Sequence, residues 1–296
     1  MDRFAEFRAL HRPGDPFVLP NAWDLASAAA LAAAGFRAIG TTSLGVAAAA
    51  GKPDAEGATR AETVRLARGM ARLDALVTVD VEGGFGEGPE GVGALAAELA
   101  AAGAAGINLE DGRGTGLADP AEQCALIRAA KEAAPALFVN ARTDTHWLPG
   151  AGHAEQTLDR ALAYRDAGAD GLFVPGLPGA AGVGALAGRV GLPLNVLHRP
   201  GGPSLRALAE AGAARVSSGS LPFRAAIGAA VRAARGIAAD GPVPDGPPPS
   251  YAEAQALAGL YRDGPEAARG RAGGGRWGPV RDRAGGGGPG SGIVGS

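Results

Sequence analysis

Two acidic residues end an apolar run in the first third of the chain, and a glycine-rich turn follows them. The run is Val77-Thr-Val-Asp80-Val-Glu82-Gly-Gly-Phe-Gly86. In a strand, alternate side chains share one face, so Asp80 and Glu82 would lie side by side. Adjacent carboxylates are costly unless a proton or a cation lies between them, and glycine lets backbone and ligand approach closely. The segment therefore predicts a Mg²⁺ site at a strand end, and the alternative is a solvated acidic strand end without a ligand.

Short apolar runs alternate with alanine-rich stretches along the rest of the chain. The predicted strands span residues 17–21, 38–43, 75–82, 106–110, 137–144, 171–175, 192–197 and 215–219. The predicted helices span residues 24–34, 59–73, 89–102, 120–134, 153–167, 179–189, 204–211 and 222–239. Strands that alternate with helices form βαβ crossovers and a parallel sheet. Eight such units over about 240 residues predict an α/β fold, a TIM-type (β/α)₈ barrel, in preference to a doubly wound open sheet.

Polar residues recur where the predicted strands end. They are Asn21, Thr42, Ser43, Asp80, Glu82, Glu110, Asp111, Arg142, Asp144, Asn195, Ser217, Ser218 and Ser220. The interior of a packed barrel prefers branched apolar side chains, whereas catalytic groups of such barrels gather at the carboxyl ends of the strands. This polar mouth therefore predicts an enzyme active site.

Eight motifs stand in order at these strand ends. They are Leu19-Pro-Asn-Ala-Trp-Asp24, Gly40-Thr-Thr-Ser-Leu-Gly-Val46 with Gly51-Lys-Pro-Asp54 after it, Val79-Asp-Val-Glu-Gly-Gly-Phe-Gly86, Gly106-Ile-Asn-Leu-Glu-Asp111, Val139-Asn-Ala-Arg-Thr-Asp144, Gly168-Ala-Asp-Gly-Leu-Phe-Val-Pro-Gly176, Pro193-Leu-Asn195 and Ala214-Arg-Val-Ser-Ser-Gly219. Together they make the chain, from about residue 4 to residue 238, resemble the isocitrate lyase / phosphoenolpyruvate mutase superfamily, within it the shorter phosphonomutase-like members. The motifs are specific for the superfamily but not for one reaction.

The resemblance implies a Mg²⁺ cofactor and an enolpyruvate-like oxyanion. Asp80 would bind the metal directly, while Glu82 and Glu110 would hold its water molecules, since Mg²⁺ keeps several waters. Arg142 would grip a substrate carboxylate with its planar fork. Asp54, in the loop after the second predicted strand, would have a catalytic or positioning role.

The same resemblance implies the rest of the substrate site. Thr42, Ser43 and Leu44 would cradle a pyruvate-like carboxylate, and Asn195 would donate to an oxygen on the far side. The predicted catalytic set is Asp54, Arg142 and Thr42.

Two departures from the superfamily pattern bear on the reaction. Glu82 stands where members usually have Asp. The segment after the fourth predicted strand, residues 112–119, is short and has no Lys, His or Cys, whereas the lyases carry a long loop with a catalytic Cys there and the mutases a lysine-rich loop. Cys124 fits helix packing better than a nucleophile. Arg113 is either a lid cation or a solvated loop residue.

Three functions follow from these features. The first is Mg²⁺-dependent carbon–carbon cleavage, by a lyase or a decarboxylase, of a 2-oxo or 2-hydroxy carboxylate. The second is a phosphonomutase acting on phosphonopyruvate or a carboxyphosphonate-type substrate. The loop Ser218-Gly-Ser-Leu-Pro222, which leads into the last predicted helix, keeps this alternative open. The third is a member that binds carboxylates without turnover.

The histidines do not add a metal site. His11, His146, His153 and His198 are scattered and lack metal-ligand spacing. His146 and His198 follow predicted strands, so each is either a substrate contact or an ordinary loop residue.

Composition completes these expectations. A formal net charge of −2 argues against a nucleic-acid partner, and no predicted helix approaches an uncharged apolar span. The charged start of the chain predicts no secretory signal and a cytoplasmic location.

We expect a catalytic barrel at 1–240, a proline-rich linker and a short oligomerisation helix at 241–262, and a Gly/Arg-rich disordered tail at 263–296. The resemblance implies a homo-oligomer, a tetramer in which a terminal helix packs on or swaps with a neighbour.

Overall fold

Nine parallel strands form one nearly closed sheet in the computed structural model, which describes residues 2–149, 156–242 and 248–261. The nine strands of this sheet are β1 Phe17–Leu19, β2 Asn21–Ala22, β3 Ala38–Thr41, β4 Leu76–Asp80, β5 Gly106–Glu110, β8 Phe138–Arg142, β9 Gly171–Phe173, β10 Leu194–Leu197 and β11 Arg215–Ser217. Two further strands, β6 Gly112–Arg113 and β7 Gly116–Leu117, form a separate small sheet. The helices are α1 Arg3–Leu10, α2 Leu25–Ala33, α3 Ser43–Ala49, α4 Arg60–Met70, α5 Gly88–Ala102, α6 Pro120–Ala133, α7 Thr157–Asp166, α8 Gly179–Val190, α9 Leu205–Glu210, α10 Leu221–Ala238 and α11 Tyr251–Ala256, which continues as a 3₁₀ turn, Leu257–Tyr261.

The sheet closes through its first segment, which a proline divides into two pieces. Along the sheet the order is β1-β11-β10-β9-β8-β5-β4-β3-β2. Pro20 has no N–H to donate to a strand ladder. On one side of it β1 pairs with β11, and on the other β2 pairs with β3, both in parallel. The two pieces therefore act as one barrel strand, and the predicted TIM-type α/β barrel is confirmed.

Local sequence signals set the helix ends. Asp24 caps α2 through a reciprocal capping box with Ser27, and the Ser204 hydroxyl accepts from the first turn of α9. Such side chains satisfy amides that have no partner inside the helix. Gly103 ends α5 with φ 98°, in the left-handed region that favours glycine.

The structure adds three elements that the strand–helix alternation did not predict. Helix α1 precedes the barrel, and the short helix α3 follows β3 directly. Strands β6 and β7 pair antiparallel as a hairpin in the shortened segment after β5. Glycines at positions 112, 114 and 116 let this hairpin turn tightly; Gly114 has φ 59°.

Apolar side chains fill the space between strands and helices, and they close the end of the barrel at which the strands begin. Phe7 of α1 is fully buried and packs edge-on against Phe138, with ring centroids 5.5 Å apart. His11 stacks on the same ring at 4.1 Å. Helix α1 thus plugs the amino-terminal end of the barrel, so the carboxyl-terminal end is left for a site.

The two C-terminal helices behave differently. Helix α10 leaves Ile227, Val231 and Ile237 exposed at 48%, 45% and 72%. By contrast, the 3₁₀ turn after α11 packs on α2 of the same chain, where the Tyr261 hydroxyl donates to the Leu25 carbonyl. The described part of the predicted oligomerisation helix therefore contacts its own barrel.

Several sequence expectations fall on other parts of the chain. The Gly/Arg-rich tail, residues 243–247 of the linker and His153 lie outside the described residues. Among the described helices, none combines the length and apolarity that crossing a bilayer requires.

Candidate active site

A cavity of about 180 Å³ opens at the carboxyl ends of the strands. Its polar lining consists of Asn21, Thr41, Thr42, Ser43, Asp54, Asp80, Asn108, Glu110, Arg142, Asp144, Ser217 and Ser220. Of the residues predicted for the site, the structure brings Thr42, Ser43, Leu44, Asp54, Asp80, Glu110 and Arg142 together on this cavity. It does not bring Glu82 or Asn195 to the cavity wall.

Burial is the main cause that disfavours the charges of the acidic residues in the cavity, and their mutual repulsion adds to it. Burial raises the pKa of Asp80 to about 6; Arg142 opposes the shift and Asp54 adds to it. Burial likewise raises the pKa of Glu110 to about 8, again against Arg142 and with Asp80 adding. Carboxylates held together in this way are stabilised by a bound cation.

The donor set fits Mg²⁺. Asp54 Oδ1 is buried and has no hydrogen-bond partner within the described residues, and Asp80, Asp54 and Glu110 supply only oxygen. The described side chains contain no group of three or more His, Cys, Asp or Glu arranged as a metal cage. Mg²⁺ commonly binds through one or two carboxylates and keeps its waters, so a complete cage is not required.

Arg142 is fixed between two carboxylates and an aromatic ring. Its Nε and Nη2 donate to the two oxygens of Asp144 at 2.6 and 3.0 Å, and its Nη1 lies 2.6 Å from Glu110 Oε2. The guanidinium carbon lies 5.6 Å from the Phe173 ring centroid. Asp144 thus occupies the Nε/Nη2 side of the guanidinium, and the remaining N–H groups of Nη1 and Nη2 are those available to a ligand.

A buried residue beneath the cavity holds this arrangement. Asp111 Oδ1 accepts from the Asp144 backbone N–H at 2.8 Å. Asp111 Oδ2 accepts from the Tyr164 hydroxyl at 2.7 Å and from Arg160 Nη1 at 3.1 Å. Tyr164 and Arg160 lie in the middle of a helix pattern, so no sequence signal marked them as residues that support the site.

Glu82 turns away from the cavity. It is 3% exposed and has φ 51°, a conformation that side chains rarely adopt. Its carboxylate accepts from the Gly57 N–H and the Thr59 hydroxyl, both at 2.9 Å. Glu82 therefore binds the loop that carries Asp54, and its predicted role with metal-bound water stays a prediction.

The segment around Thr42 brings backbone and side chains to the mouth. Thr42 is the N-cap of α3, and Ser43 and Leu44 form its first turn, where amides lack partners inside the helix. Opposite them, Asn21 Oδ1 accepts from the backbone N–H groups of Ser218 and Gly219 at 3.1 and 2.9 Å. Asn21 thus joins the first and last strands at the mouth.

Asn195 lies inside the barrel below the cavity. It is 1% exposed, and neither of its side-chain polar atoms has a partner in the described part of the chain. Its strand register places it beside Arg215 of β11. Its contact with substrate stays a prediction.

The hairpin β6–β7 covers one side of the cavity, to which Gly112 and Gly114 contribute. Arg113 is held by the backbone: its Nη1 donates to the carbonyls of Glu110 and Gly112 at 3.0 and 2.8 Å. These bonds favour a bracing role for Arg113 over that of a lid cation.

An apolar wall completes the cavity. It is formed by Leu44, Trp147, Leu148, Phe173, Pro175 and Leu197. Trp147 is 52% exposed although it is large and apolar. Only polar residues were used to predict the mouth, so this apolar wall was not expected. Trp147, just after a predicted strand end, was the available sequence signal for it.

None of the histidines that the structure describes lines the acidic cavity, and neither does Cys124. His198 lines a second cavity of about 190 Å³ between the loops after β9 and β10. Burial lowers the pKa of His146, which does not line the acidic cavity. Cys124 Sγ contacts the Ala163 carbonyl at 3.5 Å, as the packing interpretation expected.

Comparison with known proteins gives relatives over most of the chain. An uncharacterised protein, Rv1998c, of Mycobacterium tuberculosis (strain ATCC 25618 / H37Rv) is 45% identical over 250 residues, which cover 84% of this chain and 95% of that protein. A protein of Burkholderia cenocepacia J2315 with a crystal structure is 42% identical, with TM-score 0.75, and the match covers 79% of this chain and all of that one.

More distant relatives include enzymes. The crystal structure of 2,3-dimethylmalate lyase, a member of the PEP mutase/isocitrate lyase superfamily, is 26% identical with TM-score 0.77, and the match covers 92% of this chain and 99% of that one. A sequence model of the phosphoenolpyruvate phosphomutase family matches residues 7–238. The chain therefore belongs to the phosphoenolpyruvate phosphomutase family, within the PEP mutase/isocitrate lyase superfamily that its motifs resemble.

Proposed function

We propose that the protein is a Mg²⁺-dependent enzyme that cleaves a carbon–carbon bond of a 2-oxo or 2-hydroxy carboxylate, as a lyase or a decarboxylase. The observation that carries the proposal is one cavity lined by Asp54, Asp80 and Glu110 together with Arg142, which Glu110 and Asp144 hold in place. Likeness to 2,3-dimethylmalate lyase supports a substrate of this class.

The side chains divide the work between charge and orientation. Asp80 would hold Mg²⁺, with Glu110 on its waters and Asp54 beside them; when bound, the ion supplies electrostatic stabilisation of developing negative charge. Arg142 would orient a substrate carboxylate with its remaining N–H groups. Thr42 and its neighbours in the first turn of α3 would hold the other anionic end.

A proton must leave the hydroxyl of a 2-hydroxy acid as its carbon–carbon bond breaks, and the carbon that leaves must gain one. Asp54 is the candidate acceptor, since its buried Oδ1 has no partner among the described residues. The apolar wall with Trp147 and Phe173 would exclude water and fit an alkyl substituent of the substrate.

A phosphonomutase is the second candidate. It is favoured by the family match and by Ser217 and Ser220, whose positions at the mouth suit an anionic oxygen-rich group. A member that binds carboxylates without turnover is the third.

Proton and phosphorus NMR of one reaction mixture separates these candidates. The purified protein with Mg²⁺ would be given oxaloacetate, 2-methylisocitrate, isocitrate, 2,3-dimethylmalate and phosphonopyruvate, with EDTA in a parallel sample. Metal-dependent loss of one carboxylate, faster than its spontaneous breakdown, is the expected result. Conversion of phosphonopyruvate would instead favour the mutase. If no substrate is converted, oxalate is titrated into the protein. Oxalate binding without turnover would favour the binding-only member, and the absence of both turnover and oxalate binding would contradict the proposed function.

We also propose a homo-oligomer, a tetramer, in which α10 contacts or swaps with a neighbouring subunit. The exposed Ile227 and Val231, one turn apart on α10, support this helix as the contact, because apolar side chains on one helix face gain by burial. Light scattering on Ile227→Asp/Val231→Asp should then show a smaller assembly than the wild type, and an unchanged mass would contradict this contact.

A further inference from the structure

Asn108 lies on the floor of the acidic cavity, in the middle of β5. Its strand register sets it beside Asp80 of β4 on one side and Asn140 of β8 on the other. Its side chain lines the cavity and is otherwise buried, at 6% exposure. No role for this residue follows from the predicted metal or substrate set.

Two donors fix the orientation of the Asn108 amide. Its Oδ1 accepts from Asn140 Nδ2 at 2.9 Å and from Arg215 Nη2 at 2.8 Å. If the amide were reversed, its NH₂ group would face both donors, so only one orientation satisfies the network.

Arg215 reaches this position from the opposite side of the barrel. It comes from β11 and is fully buried. Burial lowers the pKa of Arg215 to about 9, and the charge of Asp80 opposes the shift. The guanidinium therefore stays protonated at neutral pH and can act only as a donor toward Asn108.

The fixed Oδ1 leaves Asn108 Nδ2 on the cavity side. Within the described residues Nδ2 has no hydrogen-bond partner. It is also not fully buried, so it is open to the cavity that Asn108 lines. Next to it, Asp80 and Glu110 are acceptors when ionised. A negatively charged substrate that reaches this floor needs donors, and Asn108 supplies one that ionised carboxylates cannot supply.

We propose that Asn108 Nδ2 donates a hydrogen bond to an anionic oxygen of the bound substrate, and that Arg215 is the positioning residue that holds the amide in that orientation. This inference rests on the proposed function, because it assigns a substrate contact in the same site. It selects for substrates that place a carboxylate or enolate oxygen, rather than an alkyl group, against the β5 side of the cavity floor.

The test uses oxalate as a probe, titrated calorimetrically into the full-length protein with Mg²⁺. Asn108→Leu removes the donor, and we expect oxalate to bind about 10- to 100-fold more weakly, as for loss of a hydrogen bond to a charged group. Asn108→Asp keeps an acceptor for Arg215, but its ionised form has no donor and should also bind oxalate weakly. A Mg²⁺ titration without oxalate measures how much the added charge of Asn108→Asp changes metal binding by itself. Wild-type affinity in either variant would overturn the donor role.

A double-mutant cycle tests Arg215. Arg215→Met should weaken oxalate binding in the wild-type background and have no further effect in Asn108→Leu, because the arginine acts through the amide. Additive losses would overturn the positioning role. Arg206→Met, at an exposed pair with Glu210, is the control for an Arg→Met change.

Failure of this inference can be told apart from failure of the proposed function. A wild type that neither binds oxalate nor turns over any substrate contradicts both. If the wild type binds oxalate and the Asn108 variants bind it with the same affinity, only the Asn108 assignment is contradicted.

Discussion

The Thr59 hydroxyl donates to Glu82 Oε1 at 2.9 Å and so fastens the loop that carries Asp54 to the end of β4. The second oxygen, Oε2, is held by the Gly57 N–H at the same distance. Both carboxylate oxygens of a 3% exposed residue are thus used inside the protein. The extra methylene of glutamate, relative to the aspartate usual in the superfamily, provides reach to the loop.

Glu82→Asp should therefore loosen that loop. The shorter side chain cannot reach both donors, and an unsatisfied buried donor costs about 1–3 kcal/mol. We expect a lower free energy of unfolding in urea and at least a 10-fold lower kcat/KM, because Asp54 loses its support. Glu82→Gln keeps the length, and the Thr59 hydroxyl can reverse to accept from it, so this variant should stay close to the wild type in stability. If Glu82→Asp matched the wild type in both measurements, the loop role would be wrong.

Asp80→Asn should separate the metal site from the fold. Because burial raises the pKa of Asp80 from 3.8 to about 6, the metal-free protein loses stability as pH rises between these values, and the loss is complete at higher pH. We expect the variant to melt at a higher temperature than the wild type in EDTA at pH 7.5.

The same variant should lose the response to metal. Mg²⁺ at 100 times its Kd stabilises a folded protein by about 2.7 kcal/mol, and this shift should be present in the wild type and absent in Asp80→Asn. Differential scanning calorimetry with and without Mg²⁺ measures both effects. An equal Mg²⁺ shift in the two proteins would remove Asp80 from the metal site.

Arg142→Lys should be strongly impaired. A lysine ammonium cannot reproduce the two parallel bonds to Asp144 together with the contact to Glu110 and a grip on substrate. We expect kcat/KM to fall by roughly 100-fold or more, in line with the 2–5 kcal/mol that disruption of a buried charge pair costs. Arg68→Lys, at an exposed pair with Glu98, is the matched control. Steady-state kinetics that did not distinguish the two variants would exclude Arg142 from the site.

His11 should make the fold sensitive to mild acid. Burial, and then the nearby charge of Arg215, lower the pKa of His11 from 6.5 to about 3. Between these values the unfolded chain binds a proton that the folded protein does not, so stability falls as pH falls below about 6.5. The loss should reach about 2 kcal/mol at pH 5, from 1.36 kcal/mol per pKa unit.

His11→Phe isolates this effect, because a phenyl ring keeps the stacking on Phe138 and does not titrate. Urea unfolding at pH 7 and pH 5 should show a smaller difference for His11→Phe than for the wild type. His198→Gln, in an exposed loop, should keep the wild-type difference. A wild-type difference in His11→Phe would show that other groups set the acid sensitivity.

Short-range patterns in the sequence were enough to predict the fold and the location of the candidate site. The alternation of apolar runs and alanine-rich stretches is a short-range property, and the handedness and closure rules of βαβ units leave few ways to assemble it. Because every parallel strand ends at the same face, the residues at predicted strand ends, such as Asp80 and Glu110, could be placed in one cavity before any coordinates. The helix α3 and the hairpin β6–β7 were not predicted, since each is shorter than a full βα unit.

Only the tertiary structure decided which partner each polar side chain takes. Strand alternation puts Glu82 and Asp80 on one face, but a left-handed φ of 51° breaks that alternation and sends the Glu82 carboxylate to Thr59. Asn108 and Arg215 are 107 positions apart and meet only because the barrel closes. Side-chain hydrogen bonds between distant residues depend on angles and distances that no spacing along the chain encodes, and for that reason the cavity could be predicted while the network beneath it could not.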